Sequence, residues 1–347
     1  MKKAGLCVPA VTLLAMFLLV MAAFPAHAAE KTKYVFKMGT LAPKGIGWAK
    51  AWEEVLAPAL AKATNNELSF KTYYGGVMGD DEDYIKKMKI GQLQSASITA
   101  QGAILACPEI SVLTLPFLLE NYDEVDYIRP KLFPVFDSYA QRQGFKILYW
   151  FEQDFDQLYS SKVPFTKLED FASGKFLTWY GPVEQKCLEA LGANPIPING
   201  PEVPAALRQK IVDSLIAPAV WVVGTQTYTI LKYVNTMKIR YAPGFHIWSM
   251  KAYNELSPDY QKRCVATRDS ALPEFIKRTR AANVQALRAI TVHGGVKQVN
   301  PTPEALALIK KRARPVWDSL AGHSYPKEVL AQVTAMLEEY RATKAKR

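Results

Sequence analysis

The residues able to carry chemistry are few and scattered. Four carboxylates stand together at Asp80-Asp81-Glu82-Asp83. Such a run could hold a cation. It also opens a helical pattern reaching about Ile90, and acidic side chains at a helix start accept free N–H groups and suit the dipole. It is read as an N-cap and first turn. Glu152 and Asp154 form a carboxylate pair of a kind that any soluble chain contains. His246, His293 and His323 lie far apart, and none has a partner at helical spacing. Each reads as a surface or capped histidine rather than a ligand or base. No G-x-S-x-G, H-E-x-x-H, P-loop or G-x-G-x-x-G occurs. Cys107, Cys187 and Cys264 show no metal-ligand spacing and are expected to be buried thiols acting as small hydrophobes. No cofactor or metal is expected.

The chain must therefore be placed by its export signal and its elements. Met1-Lys2-Lys3 is basic, Ala10 to Phe24 is nearly all apolar, and Ala26-His27-Ala28 is small-x-small. This is the pattern of a secretory leader, with cleavage expected after Ala28 and periplasmic delivery in a Gram-negative source. No later stretch is apolar for long enough to span a bilayer. The 347 residues are 49% hydrophobic and 22% charged, which excludes disordered and fibrous classes. Lys and Arg number 43 against 32 Asp and Glu, for a net +11. The excess is spread along the chain, and an exported protein has little use for a nucleic-acid patch, so no nucleic-acid partner is expected.

Strand and helix patterns alternate. Strands are expected at 34–38, 68–73, 95–99 and 146–151, with helices at about 48–63, 80–90, 101–106 and from Asn121. The pattern then restarts with strands at 175–179 and 214–217, an extended stretch at 194–198, and helices at 182–191, 202–209 and 221–233. Two such sets, each with its own sheet, predict two α/β lobes. One long helical pattern runs from Pro258 to about Val292, with a kink at Leu272-Pro273. Such a helix would be about 50 Å long and would run along both lobes. Residues 303–340 are helical. An exported, two-lobed chain without catalytic motifs has the profile of a binding protein.

Specific runs then carry a resemblance. Lys37-Met38-Gly39-Thr40-Leu41-Ala42-Pro43-Lys44-Gly45 followed by Trp48, Tyr74-Gly75-Gly76-Val77-Met78-Gly79-Asp80, and the S-V-L-T-L-P-F of Ser111 to Phe117 are similar to segments of the solute-binding subunits of TRAP transporters, the DctP-like family. So are Leu191-Gly192-Ala193-Asn194-Pro195-Ile196-Pro197, Ile211-Val212-Asp213 with Pro218, and Leu256-Ser257-Pro258. The matches keep order over about residues 33–265. The resemblance implies a two-lobed periplasmic binding protein fold with hinge strands, and a long helix spanning both lobes. Lobe I would take residues 29–151 with a return segment at about 241–280. Lobe II would take 152–240 with the C-terminal helices at about 281–347. The implied role is capture of a small molecule for delivery to membrane permease subunits, without turnover.

The departures from the family pattern concern charge. Where the family carries an arginine that grips the ligand carboxylate, this chain has Thr178 in Gly174-Lys175-Phe176-Leu177-Thr178-Trp179. A second family arginine aligns with Asp156, and the ligand-facing amide position is Ala217. A bidentate clamp needs a fixed guanidinium fork, and each charge-assisted bond contributes roughly 1.5–3 kcal/mol. Thr178 cannot supply it, and Asp156 would repel an anion. Phe155, Trp179, Tyr180, Trp221 and Tyr228 stand nearby. Burying about 300 Å² of apolar ligand surface among such rings would give on the order of 7 kcal/mol before association costs. Thr40, Asp80, Thr99 and Gln101 complete the expected lining from the first lobe. The expected ligand is hydrophobic or neutral. Three alternatives stay open: an organic acid held by a relocated anchor such as Lys186, Arg208 or Arg240; an ammonium group at Asp156; and an extracytoplasmic enzyme or sensor reusing the fold.

Overall fold

A computed structural model describes residues 33–179 and 181–345. The expected leader 1–28 and Tyr180 lie outside the described residues. The chain enters through β1 (Tyr34–Thr40), then α1, residues 47–63, in which Trp52–Leu56 form a π-helical segment. β2 (Leu68–Tyr73) follows, then α2 (Asp81–Lys89), β3 (Ser95–Ile98) and α3 (Ala100–Ala106). α2 forms where expected because its ends suit the helix dipole: acids fill its first turn, and Lys86, Lys87 and Lys89 its last. α4 (Tyr122–Arg142) is capped by Asn121, whose side chain accepts the Glu124 N–H at 3.0 Å.

The next strand is longer than the 146–151 expected, as a hinge strand between lobes must be. β4 runs unbroken from Phe145 to Ser160, every residue buried, straight through the expected lobe boundary at 151/152. Beyond it lie β5 (Leu177–Thr178), α5 (Pro182–Ala190), β6 (Ile196–Pro197), α6 (Val203–Arg208) and β7 (Ser214–Ala217). The helix expected over 221–233 is only α7 (Ala219–Gly224), with a single 3₁₀ turn after it. The chain then enters β8 (Tyr233–Ser249), a second long strand antiparallel to β4. Pro243-Gly244 makes β8 hard to read as a strand, because proline cannot donate to a ladder. The two residues lie next to a register shift between Glu152 and Asp154, where the ladder is already interrupted.

These two strands replace the two separate sheets expected. One sheet has the order β2-β1-β3-β8-β4-β7, and β9 (Lys297–Val299) joins the start of β8. One end of the β4–β8 ribbon pairs with β3 and the other with β7 and β9, so both lobes hang on it. β5 and β6 form a small parallel pair of their own.

Helices cover both faces. The short α8 (Met250–Glu255) leads to α9 (Pro258–Ser270) and α10 (Leu272–Arg288), which break at Ala271 as the Leu272-Pro273 pair requires. α10 packs on α1 in the first lobe and on α7 in the second, so the expected spanning helix is present. α11 (Pro303–Ala313) and α12 (Pro315–Leu320) pack against α5. The last helix, α13 (Lys327–Ala345), was expected with the second lobe. It packs instead on α4 of the first: Val333 and Leu337 share a core with Ile128 and Phe136, and Arg341 Nε bonds Glu124 Oε1 at 2.8 Å. Cys107, Cys187 and Cys264 are free and buried, and burial pushes the Cys187 and Cys264 thiols up to about 12.

Candidate functional site

The lobes meet along a seam of small residues. Gly47, at φ +50°, faces the second lobe so closely that a Cβ there would lie 2.4 Å from Val220 Cγ1. A Cβ on Gly224 would lie 2.4 Å from Pro43 Cγ of the first lobe. The molecule is closed. Its sequence permits that because two facing positions carry no side chain.

Asp80 joins the lobes directly. Its Oδ1 accepts the Asp81 N–H at 2.6 Å, its own N–H donates to Asp83 Oδ2 at 3.0 Å, and its Oδ2 accepts the Gly200 N–H of the opposite lobe at 2.7 Å. The acidic run is thus the helix cap expected, with one carboxylate oxygen reaching across the cleft. Asp81 points inward and is wholly buried. Its carboxylate accepts Thr99 Oγ1–H and, at 3.2 Å each, the N–H groups of Thr99 and Gly102. Burial raises it to about 7.

Inside the seam lies a cavity of about 30 Å³, room for one or two waters. The first lobe contributes Leu41, Ala42, Pro43, Trp48 and Thr99; the second contributes Trp179, Pro218, Val220 and Trp221. Gln153 of β4 and Thr279 and Asn283 of α10 close its back. The Trp179 and Trp221 rings meet edge to face at 4.7 Å, and Trp179 Nε1 donates to Ile216 O at 3.2 Å. Gln153 Oε1 accepts the Ala100 N–H at 3.0 Å, and Asn283 Nδ2 donates to Gln153 O. Among the described residues none of its lining is charged. Beyond Trp179 the cleft mouth opens into a second space of about 250 Å³ that includes Asp80, Glu82, Gln101, Thr178, Gln185 and Asn199. Among the described residues no Lys, Arg or His lines it. Gln101 Oε1 is buried there and accepts no hydrogen bond among the described residues.

Charge gathers one layer behind. Arg240 stands opposite Asp156 across the β4–β8 ladder, and its Nε and Nη2 donate to Asp156 Oδ2 at 3.0 and 2.9 Å. Its Nη1 lies 2.9 Å from Glu184 Oε1 on α5. Glu184 Oε2 in turn accepts Thr178 Oγ1–H at 2.8 Å and the Trp179 N–H at 2.9 Å. Arg240 is 4% exposed and Asp156 is fully buried. Burial raises Asp156 to about 6 against the downward pull of Arg240, with Glu184 pushing it further up. One guanidinium thus serves two carboxylates.

The expected site residues separate accordingly. Thr99, Trp179 and Trp221 line the central cavity; Asp80, Gln101, Thr178 and Trp179 line its mouth. Asp156 lies behind Thr178, out of both spaces. Phe155 is a core residue between Tyr122 and Tyr241, at 5.1 and 5.5 Å. Ala217 is wholly buried in β7, and the next residue, Pro218, reaches the cavity instead. Thr40 braces the loop after β1, its Oγ1 accepting the Ala42 N–H at 3.2 Å. Tyr228 packs on the far end of the second lobe, against Gly294. The sequence reading missed Gln153, Thr279 and Asn283. The last two are spaced four apart on a helix, a polar pair on the side that α10 turns inward, and that spacing was the available signal.

The remaining titratable candidates are structural. Glu152 Oε1 accepts Arg129 Nη2 at 2.6 Å and Arg280 Nε at 2.9 Å, whereas Asp154 Oδ1 accepts Tyr122 O–H at 3.0 Å. The two carboxylates do not act on one point. Burial raises Asp154 to about 7, and the nearby Asp156 adds to the rise. His293 and His323 are exposed as expected, but His246 is not a surface residue. It is wholly buried and accepts Trp248 Nε1–H on Nε2 at 2.7 Å, so Nδ1 carries the proton toward Ser97 Oγ at 2.9 Å. Burial lowers it to about 3.

The fold and cleft define a two-lobed solute-binding protein. The model of bacterial extracellular solute-binding protein, family 7 (DctP), matches residues 38–323. The chain belongs to that family, whose members are binding subunits of TRAP transporters rather than enzymes. It is 21% identical over 260 residues to the 2,3-diketo-L-gulonate-binding periplasmic protein YiaO of Escherichia coli K12, covering 74% of this chain and 78% of that one. The sugar acid binding protein DctPAm of Advenella mimigardefordensis, solved with galactonate, superposes with a TM-score of 0.83 at 22% identity, over 89% of this chain and 99% of that one. A TRAP periplasmic solute-binding protein of Desulfovibrio salexigens, solved with orotic acid, gives 0.81 at 19% identity, over 88% and 99%. Among the described residues no helix is long and apolar enough to cross a membrane.

Proposed function

We propose that this chain is the exported receptor of a TRAP-type importer whose ligand is not held by a carboxylate clamp. One observation carries the reading: among the described residues neither cleft space is lined by a Lys, Arg or His, and the nearby cation Arg240 is already bonded to Asp156 and Glu184. The ligand is an apolar or neutral molecule with a small polar end. Its apolar body lies against Trp48, Trp179 and Trp221. A hydroxyl or amide N–H on it suits Gln101 Oε1. The relatives named above bind acids, and an acid here would need another anchor. Lys186 is exposed and bonds Glu189 at 2.8 Å, and Arg208 is exposed.

Closure works by differential affinity. The lobes swing on the β4–β8 ribbon, and a ligand favours the closed form only by binding it better than the open form. The closed cavity has room for one or two waters, so a ligand of ordinary size must turn the tryptophans or hold the lobes slightly apart. Export by a leader cleaved after Ala28, a lobe division at about 151/152 and 240/241, and delivery to permease subunits belong to the same proposal.

Protein purified without refolding should carry a small neutral molecule, seen by native mass spectrometry. Thermal shift with succinate, galactonate, orotate and sialic acid should show no stabilisation. Micromolar binding of any of them would overturn the reading.

A further inference from the structure

A roomy cavity lies away from the cleft. A groove of about 720 Å³ lies between α4 and the α9–α10 break, within the size range of small-molecule sites. Pro130, Phe133 and Pro134 give it an apolar wall on one side and Leu272, Pro273 and Ile276 on the other, while four cations, Arg129, Arg268, Lys277 and Arg280, and two acids, Asp126 and Asp269, complete its lining. Among the cations at its floor, Arg129 and Arg280 are consumed by Asp126 and Glu152.

Arg268 differs. Its Nε and Nη2 donate to the carbonyls of Leu148 and Ile147 in β4, both at 2.7 Å, and its guanidinium lies 4.1 Å from the Phe133 ring centre. Backbone and ring therefore fix it without neutralising it. No carboxylate lies within 4.0 Å of it among the described residues; Asp269 beside it and Asp137, which is paired with Lys146, act only from further off. Burial lowers its pKa, as expected for a cation held out of water without a counter-ion. A guanidinium pre-ordered in this way loses little freedom on taking a carboxylate. Lys277 adds a second positive charge at the rim.

We propose that this groove is a second binding site, for a monocarboxylic acid with an apolar body, whose carboxylate bonds Arg268 while the body lies against the proline and leucine walls. Titration calorimetry of the mature protein with decanoate tests it. One decanoate should bind per chain, and methyl decanoate at least tenfold more weakly. Arg268→Gln should weaken decanoate binding at least tenfold. Lys277→Glu, a change at an exposed position that leaves the β4 bonds intact, should weaken it about threefold, so the test survives if Arg268→Gln fails to fold. No binding of decanoate, equal binding of its methyl ester, or unchanged affinity in both variants would overturn the proposal. So would loss of binding in Trp179→Ala, because the molecule would then lie between the lobes.

Discussion

Two neighbouring layers of this molecule have opposite chemistry. The cavity between the lobes is lined by neutral side chains, and the layer behind it holds Asp81, Asp154, Asp156, Glu184 and Arg240. The charged layer is bonded to itself and to the backbone, so its charges hold the walls in place and leave the interior neutral. Charge close to a binding cleft is therefore not the same as charge offered to a ligand.

The strongest way to break this comparison is to remove Arg240. Arg240→Met leaves Asp156 and Glu184 buried without their cation, and breaking a buried pair in this way costs about 3–5 kcal/mol. Urea denaturation should show that loss. Replacing all three groups by apolar or amide side chains should recover most of it. If Arg240→Met instead folds with near-native stability and loses only ligand, Arg240 is an anchor and the two layers are one.

Acid titration sharpens the same contrast. Burial raises Asp81 and Asp154 to about 7 and Asp156 to about 6, above the ordinary carboxylate value, so the folded state holds protons that the unfolded state lacks: two from about pH 7 down to 4, and a third below about 6. His246, lowered to about 3, works the other way: its contribution is present above about 6.5 and is lost as pH falls. The net excess is about one proton near pH 7 and about two near pH 5, or about 1.4 rising to about 2.7 kcal/mol per pH unit. Ligand-free protein should grow more stable as pH falls from 7 to 5. A fall in stability over that range would mean that these acids stay ionised.

Cleft variants should give smaller effects. Trp179→Ala removes a ring that lines both spaces and should weaken the native ligand by about 1–3 kcal/mol, read by calorimetry. Gly224→Ala puts a methyl where Pro43 and Ile46 of the other lobe stand. Small-angle scattering should find it more open than the parent, with ligand affinity reduced by about tenfold. An unchanged scattering profile would show that the seam yields.

Much of this was legible in the sequence, and the failures have physical causes. The α2 cap was readable because Asp80 and Asp83 act within one turn. The kink at Leu272-Pro273 was readable because proline acts on its own backbone. β8 was not, because Pro243 and Gly244 look like a loop until a partner strand brings a register shift to the same place. The two long strands, and the single sheet they make, depend on pairing between residues about 90 apart. The aromatic candidates divided for the same reason: Trp179 and Phe155 read alike, but only the first faces the space between the lobes. Arg240 was read as a possible ligand anchor because nothing local announces that Asp156 and Glu184 converge on it.

Thr178→Arg gives the smallest effect and the finest test. It returns a guanidinium to the position where the family pattern has one, and a reading from sequence position alone expects it to restore acid binding. The surroundings predict otherwise. Arg240 already serves two carboxylates, so the cluster of Asp156, Glu184 and Arg240 carries one excess negative charge when all are ionised. Glu184 Oε2 accepts its bond from Thr178 at 2.8 Å and would accept one from the new arginine. The added cation would be neutralised from behind and none would be left for a ligand, so Thr178→Arg alone should bind galactonate no better than the parent. Thr178→Arg combined with Glu184→Gln removes the competing charge and should create measurable galactonate binding by calorimetry. If the single change suffices, the layer behind the cleft does not control what the cleft can hold.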